Sequence, residues 1–263
     1  NRLTKVTTMD TGSVMTRTFA SDVLLSDATS NIAGPQDTIT ITYDSAGRWD
    51  TRTITYDDGS STYEEYDDSG RVDLRTATAT DGFAIETYYD DYNQRTEIVY
   101  YDSVSNRYVW DTSSLTLDPV TGQVVRKVTT MENAVEIIEN YEGGLLTTRV
   151  TQDGDDTEAY DKITQFYEAG VFQYQAAIYD NGTGLIIGTD AANVIADSTL
   201  TDDAIIGKGG ADVFMFDFDM GNDRIIDFQD GLDLLDFTLM GIDSQAELLS
   251  VGATIAQTSA GVV

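Results

Sequence analysis

Tyr43-Asp44-Ser45-Ala46-Gly47-Arg48 returns as Tyr66-Asp67-Asp68-Ser69-Gly70-Arg71 and then, more loosely, as Tyr89-Asp90-Asp91-Tyr92-Asn93-Gln94, each copy 23 residues after the last. Between them Asp58-Gly59 and Asp81-Gly82 recur at the same spacing, preceded by Arg52-Thr53 and Arg75-Thr76. A fixed period in this range marks a chain of like units, each leaning on its neighbours. Two turn signals per unit predict two strands per unit. Ile39, Ile41 and Tyr43 alternate with Thr38, Thr40 and Thr42, the period-2 pattern of a strand with two different faces. In the turns, Asp or Asn accepts a hydrogen bond from backbone two residues on, and Gly or Asn takes the positive φ of a tight hairpin. The fold expected from this is an antiparallel meander.

Outward from the clean copies at 38–106, the pattern loosens. Residues 1–16 (Arg2, Thr8, Gly12, Ser13) read as the second half of a unit, and 17–37, with Gly34-Pro35, as an irregular insertion. Beyond 106, Asp118-Pro119-Val120-Thr121-Gly122 is a turn one residue longer. Tyr141-Glu142-Gly143-Gly144 with Arg149 and Asp153-Gly154 is a shortened copy, and Tyr160-Asp161, the stretch from Phe166 to Gly170 and Tyr179-Asp180-Asn181-Gly182 carry the series to about 184. Residues 131–140 contain no obvious turn residue and read as strand. The chain reads as a fragment that starts in mid-repeat and ends on a hairpin, 253–257 and 261–263, cut in its second strand.

Composition narrows the chemistry. With 46 acidic against 15 basic residues, the 263-residue chain carries a formal charge of −31. Such a surface repels phosphate backbones and anionic membranes and attracts divalent cations, so neither nucleic acid nor membrane insertion is expected. Cysteine is absent, leaving repetition and metal ions as the available staples. Histidine is absent too, so a metal site has oxygen donors and suits a hard cation. The same absences leave no Ser-His-Asp arrangement and no thiol nucleophile, and Gly207-Lys208-Gly209-Gly210 lacks the spacing of a phosphate loop. Catalysis is not expected within these residues. No apolar run of about 18 residues predicts a transmembrane helix, and no signal peptide is recognised, so export would use another signal.

The repeats resemble the YD repeats of the Rhs family, in which Tyr-Asp is followed by two residues, Gly-Arg and a Thr-rich strand. Known members build long spiralling sheets that can close into shells. Here Trp49 and Val72 stand where Leu commonly follows Gly-Arg, and an open or wrapped sheet is the expectation.

From Gly188 the pattern changes. Gly207-Lys208-Gly209-Gly210-Ala211-Asp212-Val213-Phe214-Met215 resembles the nonapeptide of RTX proteins, Gly-Gly-x-Gly-x-Asp-x-U-x with U a large apolar residue, except at Lys208. Gly188-Thr189-Asp190-Ala191-Ala192-Asn193-Val194-Ile195 is a weaker copy, and 198–206 keeps only Asp203 and Ile205. Residues 221–228 and 231–236 are similar to that family's closing segment. The resemblance implies a short, degenerate parallel β-roll: two nonapeptides per coil, Ile195, Ile205 and Phe214 inside, and calcium between stacked turns. It places the turns of Asn193 and Asp212, 19 residues apart, against each other and makes Asp190, Asn193, Gly207, Gly209 and Asp212 the candidate calcium site. An acidic cluster of Asp217, Asp219, Asp223, Asp227, Asp230 and Asp233 is a second candidate, and a decayed roll holding one ion or none is the alternative.

The full expectation is an all-β chain with a YD-like repeat domain over 1–184 and an RTX-like region over 185–263. Its function is expected to be that of a calcium-binding structural or adhesive protein, secreted or on the cell surface of a Gram-negative bacterium by type I secretion. Calcium and neighbouring repeats of the same protein are the expected partners, with surface polysaccharide as a further candidate through the 15 tyrosines, Trp49 and Trp110. The alternatives are the noncatalytic tail of a secreted polysaccharide-active enzyme and a piece of a toxin-delivery shell. In the repeats, Asp44, Asp67 and Asp90 fall into one column, which needs arginines or cations to relieve its repulsion.

Overall fold

The computed structural model describes residues 2–9, 12–21, 23–196, 202–217, 222–242, 244–250, 257–258 and 261–262. By contact density the chain divides into two units, Asn1–Glu132 and Asn133–Val263. The first holds β1 (Arg2–Thr8), β2 (Val14–Ala20), β3 (Val23–Ser30), β4 (Gln36–Tyr43), β5 (Trp49–Tyr56), β6 (Ser61–Tyr66), β7 (Val72–Thr78), β8 (Ala84–Tyr89), β9 (Arg95–Tyr101), β10 (Trp110–Leu117) and β11 (Val124–Met131). Each strand pairs antiparallel with its neighbour in sequence. One 23-residue unit is therefore one hairpin and the turn to the next.

The repeated aspartates close the turns as their spacing requires. Asp44 Oδ1 accepts the amides of Ala46 and Arg48 at 2.8 and 2.9 Å. Asp67 accepts those of Ser69 and Arg71, both at 2.8 Å, and Asp90 those of Tyr92 and Gln94, both at 2.9 Å. Gly47, Gly70 and Asn93 supply the left-handed residue, with φ of 79°, 80° and 60°. The longer turn is real: the Asp118 amide bonds the Gln123 carbonyl, five residues on, where that of Asp44 bonds Arg48, four on.

Two local expectations are corrected. Residues 17–37 are not irregular: they contain the end of β2 and all of β3, which pair from Val14↔Ser30 to Ala20↔Val23. Val-Leu-Leu-Ser-Asp-Ala-Thr-Ser lacks apolar alternation, but ladder hydrogen bonds to strands on both sides hold it in a sheet. Residues 131–140 are not one strand, because β11 stops at Met131 and the next strand starts at Glu136. The turn between them puts Ala134 at φ 61°, a left-handed position without the Gly or Asn that announces one.

The second unit has an antiparallel meander of β12 (Glu136–Glu142), β13 (Leu145–Gln152), β14 (Tyr160–Glu168) and β15 (Val171–Tyr179). Then the pairing changes direction. β16 (Gly184–Ile187) is antiparallel to β15 on one edge and parallel to β18 (Asp203–Ile206) on the other. It is thus shared by the two repeat regimes, at the place where the sequence pattern switches. β18 pairs in parallel with β20 (Arg224–Ile225), while β17 (Val194–Ala196), β19 (Val213–Met215) and β21 (Leu234–Asp236) form a second parallel ladder.

The chain crosses from one ladder to the other and back in each coil, so Val194 lies against Val213, 19 residues on, and Val213 against Leu234, 21 on. Ile186, Ile195, Ile205, Phe214 and Ile225 fill the inside, none more than 3% exposed, and Tyr174 and Ala176 of β15 join the same cluster. Each such side chain contributes about 1.5–3 kcal/mol on burial. After β21 come a 3-10 turn (Thr238–Met240), α1 (Gln245–Ser250) and a hairpin of β22 (Gln257–Thr258) and β23 (Gly261–Val262), with β23 set against β20.

Candidate cation site in the parallel coil

The turns that leave the first ladder for the second, 188–193, 207–212 and 226–233, stack on one side of the coil. Close approach dictates their glycines. A side chain at Gly210 (φ 110°) would begin 2.5 Å from the Ala191 carbonyl carbon, and one at Gly188 would begin 2.7 Å from the Gly207 oxygen. At Gly209 a side chain would lie 3.9 Å from Asp190 Oδ1, so the Asp190 turn sits directly against the Gly209 turn.

The acids on this side cap backbone amides of the neighbouring coil. The Asn193 amide donates to Asp212 Oδ1 at 2.9 Å, and the Asp212 amide donates to Asp233 Oδ1 at 3.0 Å. Each side chain also reaches back into its own turn: Asn193 Oδ1 accepts the Thr189 amide at 2.6 Å, and Asp233 Oδ2 accepts the Gln229 amide at 2.7 Å. Asp212 should use the Lys208 amide in the same way. Instead Asp227, from the next coil, takes the amides of Gly207 and Lys208, both at 2.8 Å.

Asp212 Oδ2 is thereby left buried with no hydrogen-bond donor, on a residue 1% exposed. It points at Gly207, where a side chain would begin 2.5 Å from it. Burial raises the carboxyl's pKa, the Asn193 amide opposes that, and the charges of Asp233 and Asp227 raise it further. Among the described residues no cationic side chain offsets the ionised form, and an orphaned buried acceptor costs about 1–3 kcal/mol.

Asp190, Asn193, Gly207, Gly209, Asp212, Asp227 and Asp233 all belong to this stack of turns. Asp223 does not. Its Oδ1 accepts the Asp203 amide at 2.9 Å on the opposite side of the coil, where Asp202 accepts the Asn222 amide at 2.9 Å. The six-acid cluster is thus divided by the coil, with Asp217 and Asp223 on one side and Asp227, Asp230 and Asp233 on the other; Asp219 lies outside the described residues. Among the described residues no three His, Cys, Asp or Glu side chains converge as a ready-made metal cage. What the stack offers a hard cation is one orphaned carboxylate oxygen, Asp212 Oδ2, with acids and glycine turns beside it. Lys208 and Gln229, which donates from Nε2 to the Lys208 carbonyl at 2.9 Å, were not legible as part of it.

In the first unit arginines stand in the acidic column. Arg48 bonds Asp44 through Nε at 2.8 Å and reaches Asp68 of the next repeat at 2.6 Å. Arg71 bonds Asp67 at 2.9 Å and the Asp91 carbonyl. Backbone hydrogen bonds from Arg48 and Arg71, and then their side chains, hold Asp44 and Asp67 below the ordinary carboxylate range. The ladder stops at Gln94, which has no guanidinium to pass on.

A second network has no repeat signature. Glu64, 1% exposed, lies between Arg52 and Arg75 at 2.6 and 2.7 Å and accepts the Tyr66 hydroxyl at 2.6 Å. The arginines recur every 23 residues; the glutamate they share does not. Burial works against its charge, but the bonds from Tyr66 and Arg75 and both guanidinium charges outweigh it and keep the carboxyl low. Tyr66 is pushed up to about 12, by burial first and then by its bond to Glu64.

No protein-family model matches the chain, and no curated protein matches it. Among solved structures the chain is similar to a porin-like protein from Bacteroides uniformis, at 13% identity over 70% of this chain and 92% of that one. The TM-score of 0.20 is too low for that likeness to carry an argument.

Proposed function

We propose that this chain is a calcium-binding structural or adhesive repeat protein of the extracellular space, exported from a Gram-negative bacterium by type I secretion, with no catalytic role of its own. The observation that carries the reading is Asp212 Oδ2: a buried carboxylate oxygen with no donor, in a stack of glycine turns edged by Asp190, Asp227 and Asp233. A divalent cation supplies the missing counter-charge, and oxygen donors favour calcium over softer metals. The charge of −31 works in the same direction, since cations relieve the self-repulsion of the folded chain. Metal binding of this kind couples to folding, so the coil gains stability where calcium is abundant, outside the cell.

Calcium titration calorimetry on the wild type and on Asp212→Asn tests this. The amide keeps the acceptor for Asn193 and removes the charge. Saturable binding that weakens at least tenfold in the variant is the expected result; equal binding by both proteins, or none by either, overturns the reading.

A further inference from the structure

Strand register places an uneven share of the chain's few cations in one row. Partners across a sheet share a face, and the register runs Lys5, Arg17, Asp27, Ile41, Arg52, Glu64, Arg75, Thr87, Ile98, Leu115, Lys127 from β1 to β11. Five of the 15 basic residues therefore line a single row that contains two acids. The parallel row on the same face, from Ile39 and Ile54 to Ile85 and Tyr100, is uncharged. On the other face the corresponding rows carry Glu65, Glu86 and Glu97 with Arg126 as their one base.

This sheet is a single layer. Strand contacts in the first unit run between sequence neighbours, and among the described residues its buried apolar side chains are Ile54, Phe83 and Leu117. Two faces of opposite charge on one layer are complementary to each other, but only in two different molecules. We propose that the sheet stacks on a second copy of the chain, the basic, isoleucine-bearing face of one copy against the glutamate face of the next.

Size agrees with that occupant. Arg52 and Arg75 stand two strands apart in one row, about 9.6 Å, and Glu65 and Glu86 stand two strands apart in neighbouring rows of the other face. Seven strands about 4.8 Å apart and some seven residues long present roughly 800 Å², what a standard interface buries per partner. The contact is heterologous, so it does not close on two copies and propagates. It rests on the reading of the chain as an assembling protein but not on its calcium site.

Sedimentation velocity of the full chain tests it, at about 0.15 M salt, where the Debye length of about 8 Å screens the overall repulsion, in calcium and again in chelator. Two substitutions at exposed positions block one face each: Ala77→Glu the basic face and Glu65→Lys the acidic face. Wild type is expected to rise with concentration above its 28.8 kDa. Each variant alone should stay monomeric, and an equimolar mixture should form a dimer, since the intact face of one meets the intact face of the other. Three outcomes overturn the proposal: wild type monomeric at about 100 μM with and without calcium, a mixture that stays monomeric, or one variant that still dimerises alone. Failure of calcium binding with this pattern intact would sink the site and leave the stacking standing.

Discussion

Glu64→Gln is the sharpest probe of what holds the repeat sheet together. The change keeps the shape of a side chain that is 1% exposed and removes the charge shared by Arg52 and Arg75. Breaking one partner out of a buried ion network costs about 3–5 kcal/mol. Arg52 and Arg75 are 30% and 48% exposed, and water reaching them reduces the expected loss to about 2–3 kcal/mol. The assay is urea unfolding followed by tryptophan fluorescence, which reports on the first unit alone because Trp49 and Trp110 are the chain's two tryptophans. pH supplies an independent check. A carboxyl held below its unfolded value near 4.3 stabilises the fold above that pH and loses the contribution as pH falls through the lower, folded value. Wild type should therefore lose stability below about pH 4 more steeply than Glu64→Gln. A loss under about 0.5 kcal/mol at neutral pH, or identical acid limbs, would refute the network's role.

The stacked turns give two opposite expectations. Gly210→Ala puts a methyl 2.5 Å from the Ala191 backbone at φ 110°, and should destabilise the coil by about 3 kcal/mol or more, seen as faster hydrogen exchange across 186–225. Lys208→Gly should stabilise it by about 1 kcal/mol, because a non-glycine residue now holds φ 70°; a loss of stability would show that the lysine side chain matters to the turn. Phe214→Ala, 1% exposed in the coil's core, should cost about 3–5 kcal/mol by thermal unfolding, and a loss below 1 would mean the coil is not packed as described.

Much of the fold was legible because its causes are local and repeated. Tyr43-Asp44 and its copies announce turns whose hydrogen bonds are made within five residues, and the 19-residue offset of Asn193 and Asp212 fixes which turns of the coil meet. What stayed hidden depends on partners distant in sequence. Glu64 looks like any strand glutamate until β5 and β7 bring an arginine to each side of it. Asp212 looks like its neighbours until Asp227, one coil later, takes the amide it would have used. The turn at Ala134 and the strand at 23–30 were missed because their backbone is set by the adjoining strands and not by their own residue types.

Calcium at Asp212 is what should organise the parallel coil. Hydrogen exchange read by mass spectrometry, on wild type and Asp212→Asn with calcium, with magnesium and with chelator, measures this at residue-segment resolution. Calcium, and not magnesium, should slow exchange in 188–193, 207–212 and 226–233 of the wild type by tenfold or more, with β4–β9 unchanged and the response lost in the variant. Protection that is the same in chelator and calcium, or that Asp212→Asn retains in full, would contradict it.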